Sequence, residues 1–206
     1  MKEILNLGLR LALICGVAAL LLSQVDATTR EPIRQAMLRE RMAAVAAVMP
    51  PFDNAPDADR VDLTDGPGER SYWRGFQGEA PVGAAFKALS GSGYSGEIEL
   101  MLGVDGEGKV SGLRILRHTE TPGLGAKYAD PALLARLYAG RALADTDWRV
   151  KADGGDLDAV TGATVTGRAL AGAIGAALTQ YDADRAQVAA APRAAVADSS
   201  AGEVAP

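Results

Sequence analysis

Apolar positions along the chain fall into four regimes. After a basic start at Lys2 and Arg10, the run from Leu11 to Val25 carries no charge and ends at Asp26. That run falls short of the roughly 20 residues a helix needs to cross the hydrocarbon, but the window extends back to Ile4 if Arg10 snorkels to the headgroups. Residues 1–27 therefore read as a membrane anchor. The competing reading is a cleaved signal peptide, because Val25-Asp26-Ala27 resembles a small-residue cleavage site. From Arg30 to Met49, Ile33, Met37, Leu38, Met42, Val45 and Val48 recur at three-and-four spacing among arginines, which predicts a linking helix within 28–50, ended by Pro50-Pro51. Phe52 to Glu69 is rich in Pro, Asp and Gly and reads as a loop.

The pattern then changes period. Glu97-Ile98-Glu99-Leu100-Met101-Leu102-Gly103-Val104 alternates, Asp105-Gly106-Glu107-Gly108 is turn chemistry, and Val110 to Leu116 supplies a returning strand, so a β-hairpin is expected. Pro131 to Ala139 reads as helical, Trp148-Arg149-Val150 as a short strand, and Gly154-Gly155 as a break. Beyond Thr164, Val165, Leu170, Ile174, Ala177, Leu178 and Tyr181 share one face and predict a long helix. From about Ala186 to Pro206 the Ala, Pro, Ser and Val composition has no periodicity and reads as a disordered tail, leaving 51–185 as one domain. The fold class expected is α+β: one N-terminal transmembrane helix, then a twisted antiparallel sheet packed by helices.

Composition narrows the chemistry. A net charge of -5, from 21 basic and 26 acidic side chains, argues against a nucleic-acid surface. Cys15 and His118 are single, so no disulfide, thiolate cluster or His-rich metal site can be assembled within the chain, little is left for Ser-His-Asp or Cys-His catalysis, and lipidation at Cys15 is disfavoured by Ile14 before it. Chemistry, if any, should come from a bound cofactor. No catalytic residue and no resident metal is expected. Asp153-Gly-Gly-Asp-Leu-Asp has an EF-hand flavour, but that loop would need Gly where Asp158 stands and Glu where Thr164 stands. His118 beside a strand end is expected to partner a carboxylate such as Glu120, and Tyr94 and Trp148 are better read as surface or core than as ring contacts.

Two stretches carry more specific information. Asp158-Ala159-Val160-Thr161-Gly162-Ala163-Thr164, opening a helix, matches the flavinylation pattern Asp-x-x-Ser/Thr-Gly-Ala-Thr of FMN-binding domains. Ahead of it, Tyr94-Ser95-Gly96, the hairpin, His118-Thr119-Glu120-Thr121-Pro122-Gly123-Leu124-Gly125 and Asp153-Gly154-Gly155-Asp156-Leu157-Asp158 follow in the order found in G subunits of Rnf electron-transport complexes. The chain resembles that family in detail from about Tyr94 to Thr166, with Leu157 in place of an aromatic, and elsewhere in layout alone.

The resemblance implies FMN joined through its phosphate to the Thr164 hydroxyl by a flavin transferase, in a single-pass subunit of the bacterial inner membrane. Its soluble domain would lie on the periplasmic side, as the basic residues before the span also suggest. It would pass electrons within a complex that couples ferredoxin/NAD electron transfer to ion transport, with no substrate of its own. Physical reasons accompany the assignment. A helix start offers free N–H groups and a positive dipole end to a phosphodiester. Gly162 and Ala163 allow close approach, and Thr161 is expected to cap the helix or bond the phosphate. Asp158 is expected to serve the transferase. In the loop from Glu120 to Gly125, Thr121 or nearby amides would bond the flavin's polar edge and Leu124 would pack on its face, with Gly123 and Gly125 keeping the surface clear. Two alternatives stand beside this reading. One is the C subunit of a sodium-translocating NADH:quinone reductase, disfavoured by the short chain and the His118 to Gly125 stretch. The other is a periplasmic binding module that never receives flavin.

Overall fold

The computed structural model describes residues 1–64 and 68–193. It divides into two bodies, Met1–Arg41 and the remainder from Met42. The first is helical throughout, because helix α1 runs from Lys2 to Val48 with Pro32 inside it. Helix α1 is long and apolar enough to cross a membrane by length and composition, through a window near its N-terminus. Further along the helix, Arg30 pairs with Asp26 at 2.6 Å, and the side chains of Ile33, Met37 and Leu38 are exposed.

The second body is a five-stranded antiparallel meander in the order β1-β2-β3-β4-β5, with β1 Arg60–Leu63, β2 Arg70–Gln77, β3 Ala80–Ser90, β4 Ile98–Asp105 and β5 Val110–Arg117. The expected hairpin is β4 and β5, in register at Leu102 opposite Leu113 and Gly103 opposite Gly112. Helix α2 spans Pro131–Tyr138, capped by the Asp130 carboxylate, and α3 spans Thr164–Ala190.

Alternation along β4 explains the layering. Ile98, Leu100, Leu102 and Val104 face a main core with Leu134 of α2 and Leu170, Ile174 and Leu178 of α3. Met101 points the other way, into a smaller core with Trp73, Ala85 and the Ala44, Val45, Val48 and Met49 end of α1. A strand buried on both faces loses its polar positions, which is why the sequence becomes continuously apolar after Glu99. Gly103 is required by contact. A Cβ there would collide with the Val48 carbonyl and lie 2.9 Å from Ser111 Oγ, which itself donates to that carbonyl at 2.6 Å. Gly103→Ala is expected to cost about 2 kcal/mol, the scale of overpacking, read as a lowered unfolding midpoint.

Three local expectations are corrected. Arg60–Leu63, inside the stretch read as a loop, is an edge strand paired with β2, its two apolar residues too few to display a period. Trp148 to Val150 forms no strand, only a bridge from Val150 to Leu157. Trp148 instead stacks on Tyr138, with ring centroids 6.5 Å apart. Helix α3 continues past Ala186 to Ala190 because buried Arg74 of β2 donates to the carbonyls of Val188, Ala191 and Pro192 at 3.2, 2.7 and 2.7 Å, a cap supplied from across the fold. The rest of the expected tail, from residue 194, lies outside the described residues.

Candidate functional site

The start of α3 is built by a turn. The Ala163 N–H donates to the Val160 carbonyl at 2.9 Å, and Gly162 between them has φ +82°, a left-handed conformation that favours glycine. Ala163, not Thr161, is the N-cap, and no side chain caps the helix. Thr161 sits exposed in the turn, one residue too early to reach around Gly162. The first helical bond runs from the Gly167 N–H to the Ala163 carbonyl, so the amides of Thr164, Val165 and Thr166 face out of the helix end.

Tyr128, in a 3-10 turn over Gly125–Ala129, holds this arrangement from below. Its hydroxyl accepts from the Val160 N–H at 2.9 Å, and a Cβ on Gly167 would stand 2.6 Å from it. Burial pushes the Tyr128 phenol up from its ordinary range. Tyr128→Phe is expected to cost about 1–2 kcal/mol by stranding the Val160 N–H, measured as a lower unfolding midpoint and faster amide exchange at Val160.

The Glu120 to Gly125 loop folds against the same helix end. Leu124 and Ala126 donate N–H bonds to the Thr121 carbonyl at 3.2 Å each, and Gly123 supplies the positive φ. Glu120 is 5% exposed. Its Oε2 accepts from the Thr166 hydroxyl at 2.6 Å, and its Oε1 from the Ser95 N–H at 3.0 Å. Gly125 has no room for a side chain: a Cβ would collide with the Glu120 carboxylate and lie 2.6 Å from Thr166 Oγ1. His118 does not pair with that carboxylate as expected. Its Nδ1 accepts from the Glu120 backbone N–H at 3.2 Å.

Between these two walls opens a cleft of about 460 Å³ lined by Tyr94, Glu120, Thr121, Leu124, Gly125, Gly162, Ala163, Thr164, Val165 and Thr166. Most of the residues singled out from the sequence meet here. Asp158 does not line it, being tied to Lys151 by an exposed ion pair at 2.9 Å, and neither Thr161 nor Gly123 does. Sequence reasoning missed Thr166 and Ser95 as partners of Glu120, Tyr128 as the buttress, and Val165 in the lining. Tyr94, mostly exposed, lies at the mouth. Behind the helix end Arg168 pairs with Asp153, whose carboxyl is held below its usual range by that guanidinium's hydrogen bonds.

The cleft suits a flavin nucleotide. Its volume lies within the roughly 300–1,000 Å³ usual for small-molecule sites. One wall offers three helix-end amides and the Thr164 hydroxyl for a phosphate. The other offers the Leu124 side chain and a glycine-flattened surface for a ring. Among the described residues no lysine or arginine lines the cleft, so a phosphate would be met by helix-end amides and their dipole.

Comparison with known proteins agrees with this geometry. The FMN-binding domain family model matches residues 93–179, a span that contains every residue lining the cleft. Over 190 residues the chain is 38% identical to the G subunit of the ion-translocating oxidoreductase complex of Cereibacter sphaeroides, covering 88% of this chain and 85% of that protein. The corresponding G subunits of Pseudomonas aeruginosa and Escherichia coli match at 36% over 208 residues and 34% over 188. Those alignments cover 91% and 84% of this chain, and 94% and 89% of those proteins. The chain belongs to the family of G subunits of ion-translocating oxidoreductase complexes. Similarity to that family extends well beyond the FMN-binding stretch, across the β1 to β3 half of the sheet, whose strands lie outside the 93–179 match.

Proposed function

We propose that this chain is an FMN-carrying electron-transfer subunit of an ion-translocating oxidoreductase complex, with the flavin held by a phosphodiester to Thr164. The observation that carries the reading is the position of the Thr164 hydroxyl, half-buried at the first residue of α3 and lining a cleft whose far wall is the Glu120 to Gly125 loop. Of the neighbouring threonines, Thr166 has its hydroxyl buried on Glu120, and Thr161 lies in the exposed turn outside the cleft. Of the three, Thr164 has its hydroxyl both uncommitted and inside.

The bound flavin supplies electron transfer in steps of one or two. The residues of this chain orient and shield it. Helix-end amides of Thr164, Val165 and Thr166 hold the phosphate, Gly162 and Ala163 let it approach, and Thr121 bonds the polar edge of the ring while Leu124 covers a face. Maturation transfers the FMN moiety of FAD to the Thr164 hydroxyl and releases AMP, with Asp158 serving the transferase at the surface.

The remaining assignments follow the same reading. Residues 1–27 anchor the chain in the bacterial inner membrane and 28–50 link to the flavin domain from residue 51. Lys2 and Arg10 before the span favour a periplasmic domain. Its partners are the other subunits of a complex coupling ferredoxin/NAD electron transfer to ion transport. The test is the intact mass of full-length protein made with and without a co-expressed flavin transferase. A gain of one FMN, with fluorescence that survives denaturation, is expected. Colourless protein of polypeptide mass after co-expression with a transferase active on a known substrate would overturn the reading.

A further inference from the structure

We infer that Glu120 is a buried charge that sets the midpoint potential of the flavin in this cleft, holding it lower than the same cleft would without that charge. The inference rests on the flavin reading above and adds to it a role for one side chain. Glu120 lines the cleft yet is 5% exposed, and each carboxylate oxygen is engaged from a different element: Oε2 by the Thr166 hydroxyl of α3 at 2.6 Å, Oε1 by the Ser95 N–H at 3.0 Å. Those partners are neutral. Among the described residues Glu120 has no ion-pair partner, and the nearby His118 is bonded through Nδ1 to the Glu120 backbone N–H rather than to its carboxylate.

A buried carboxylate is costly unless hydrogen-bonded or paired, and here only hydrogen bonds compensate it. Its field therefore reaches the cleft in a medium of low dielectric, with little cancellation. Reduction adds negative charge to whatever ring occupies the cleft. A fixed anion on the wall opposes that addition and favours the oxidised form. Gly125 strengthens the effect, because the lack of a Cβ, which would collide with the carboxylate, leaves no side chain between Glu120 and the loop surface. Thr166, invisible to the motif except as the second residue after Thr164, fixes where the charge sits.

Spectroelectrochemical titration of flavinylated full-length protein tests this on three forms. Glu120→Gln keeps the shape and an oxygen to accept from Ser95, and its amide can donate to Thr166 Oγ1, so it removes the charge and little else. Its potential should rise so that the reduced-to-oxidised ratio at a given solution potential increases at least tenfold, about 30 mV for a two-electron couple. Thr166→Val keeps the charge and withdraws a donor that partly neutralises it, so its potential should stay or fall. Opposite or unequal responses of this kind are not produced by mere loosening of the wall.

The inference is overturned if loaded Glu120→Gln titrates with the wild type, or if Thr166→Val rises as far as Glu120→Gln. Loss of flavin from Glu120→Gln alone, with Thr166→Val loaded, would place Glu120 in the attachment step and also overturn it. Wild-type protein without flavin is a separate result that removes the underlying reading, and this one with it.

Discussion

Thr164→Val protein co-expressed with a flavin transferase is expected to show no fluorescent band on a denaturing gel and no mass beyond its polypeptide, while Thr166→Val keeps both. The expected effect is complete because an ester needs an oxygen, and valine replaces the hydroxyl with a methyl of nearly the same shape. Little else should change. Position 164 is the first residue of α3, where propensity differences amount to a few tenths of a kcal/mol, and the turn through Gly162 and the Tyr128 bond to Val160 do not involve the side chain. A folded, soluble-domain signature by circular dichroism alongside the lost band separates missing chemistry from missing structure. Thr166→Val strands one oxygen of Glu120 and should be less stable, yet its flavin should remain. A fluorescent Thr164→Val protein, or a colourless Thr166→Val protein that is folded, would move the attachment point.

What the sequence disclosed and what it hid divide along physical lines. The β4–β5 hairpin, α2 and the start of α3 were legible because each is specified locally: alternation with Asp105-Gly106-Glu107-Gly108 as its turn, Asp130-Pro131 as a cap, and Gly162 before a periodic run. Strands β2 and β3 were not. β2 is buried over Tyr72 to Phe76 and so lacks alternation, while β3 draws much of its core from alanine, which carries a weak strand signal. Residue types in the site were readable from two motifs, but their pairing was not. Glu120, Ser95 and Thr166 come from three separate segments, and only the folded chain makes a buried carboxylate of the first. The failed expectation for Thr161 has the same origin. A Thr three residues before a helix start resembles a cap until the positive φ of Gly162 turns the chain away from it.

The second large effect is expected far from the cleft, at Asp184 near the end of α3. Its carboxylate is 7% exposed and accepts from Arg70 Nε at 2.6 Å, Arg70 Nη2 at 3.3 Å, the Tyr72 hydroxyl at 2.6 Å and Gln180 at 3.2 Å, so it joins the helix to β2. Beside it Tyr72, Phe86 and Tyr181 form an aromatic cluster, the last two stacked with centroids 5.0 Å apart. Asp184→Ala strands the Tyr72 phenol and takes the charged partner from the Arg70 guanidinium, which keeps its bond to the Gly68 carbonyl at 3.0 Å, and should cost roughly 3 kcal/mol, the low end of the scale for removing one member of a buried ion pair. For a domain of this size that is a fall of about 10 °C in unfolding midpoint.

The pH dependence fixes the cause. Burial pushes the Asp184 carboxyl up, but the bonds from Arg70, Tyr72 and Gln180 outweigh it and hold the group below the usual carboxylate range. A depressed folded value means the stabilisation is fully present above the unfolded value, about pH 4, and is lost as pH falls through the lower folded one. The deficit of Asp184→Ala relative to wild type should therefore be largest near neutrality and shrink below about pH 4. Asp184→Asn keeps an acceptor without the charge. Its deficit should be smaller than that of alanine at pH 7 and should likewise narrow in acid. A deficit for alanine that stays constant from pH 7 to pH 3 would assign the loss to packing around Tyr181 instead of to the charge.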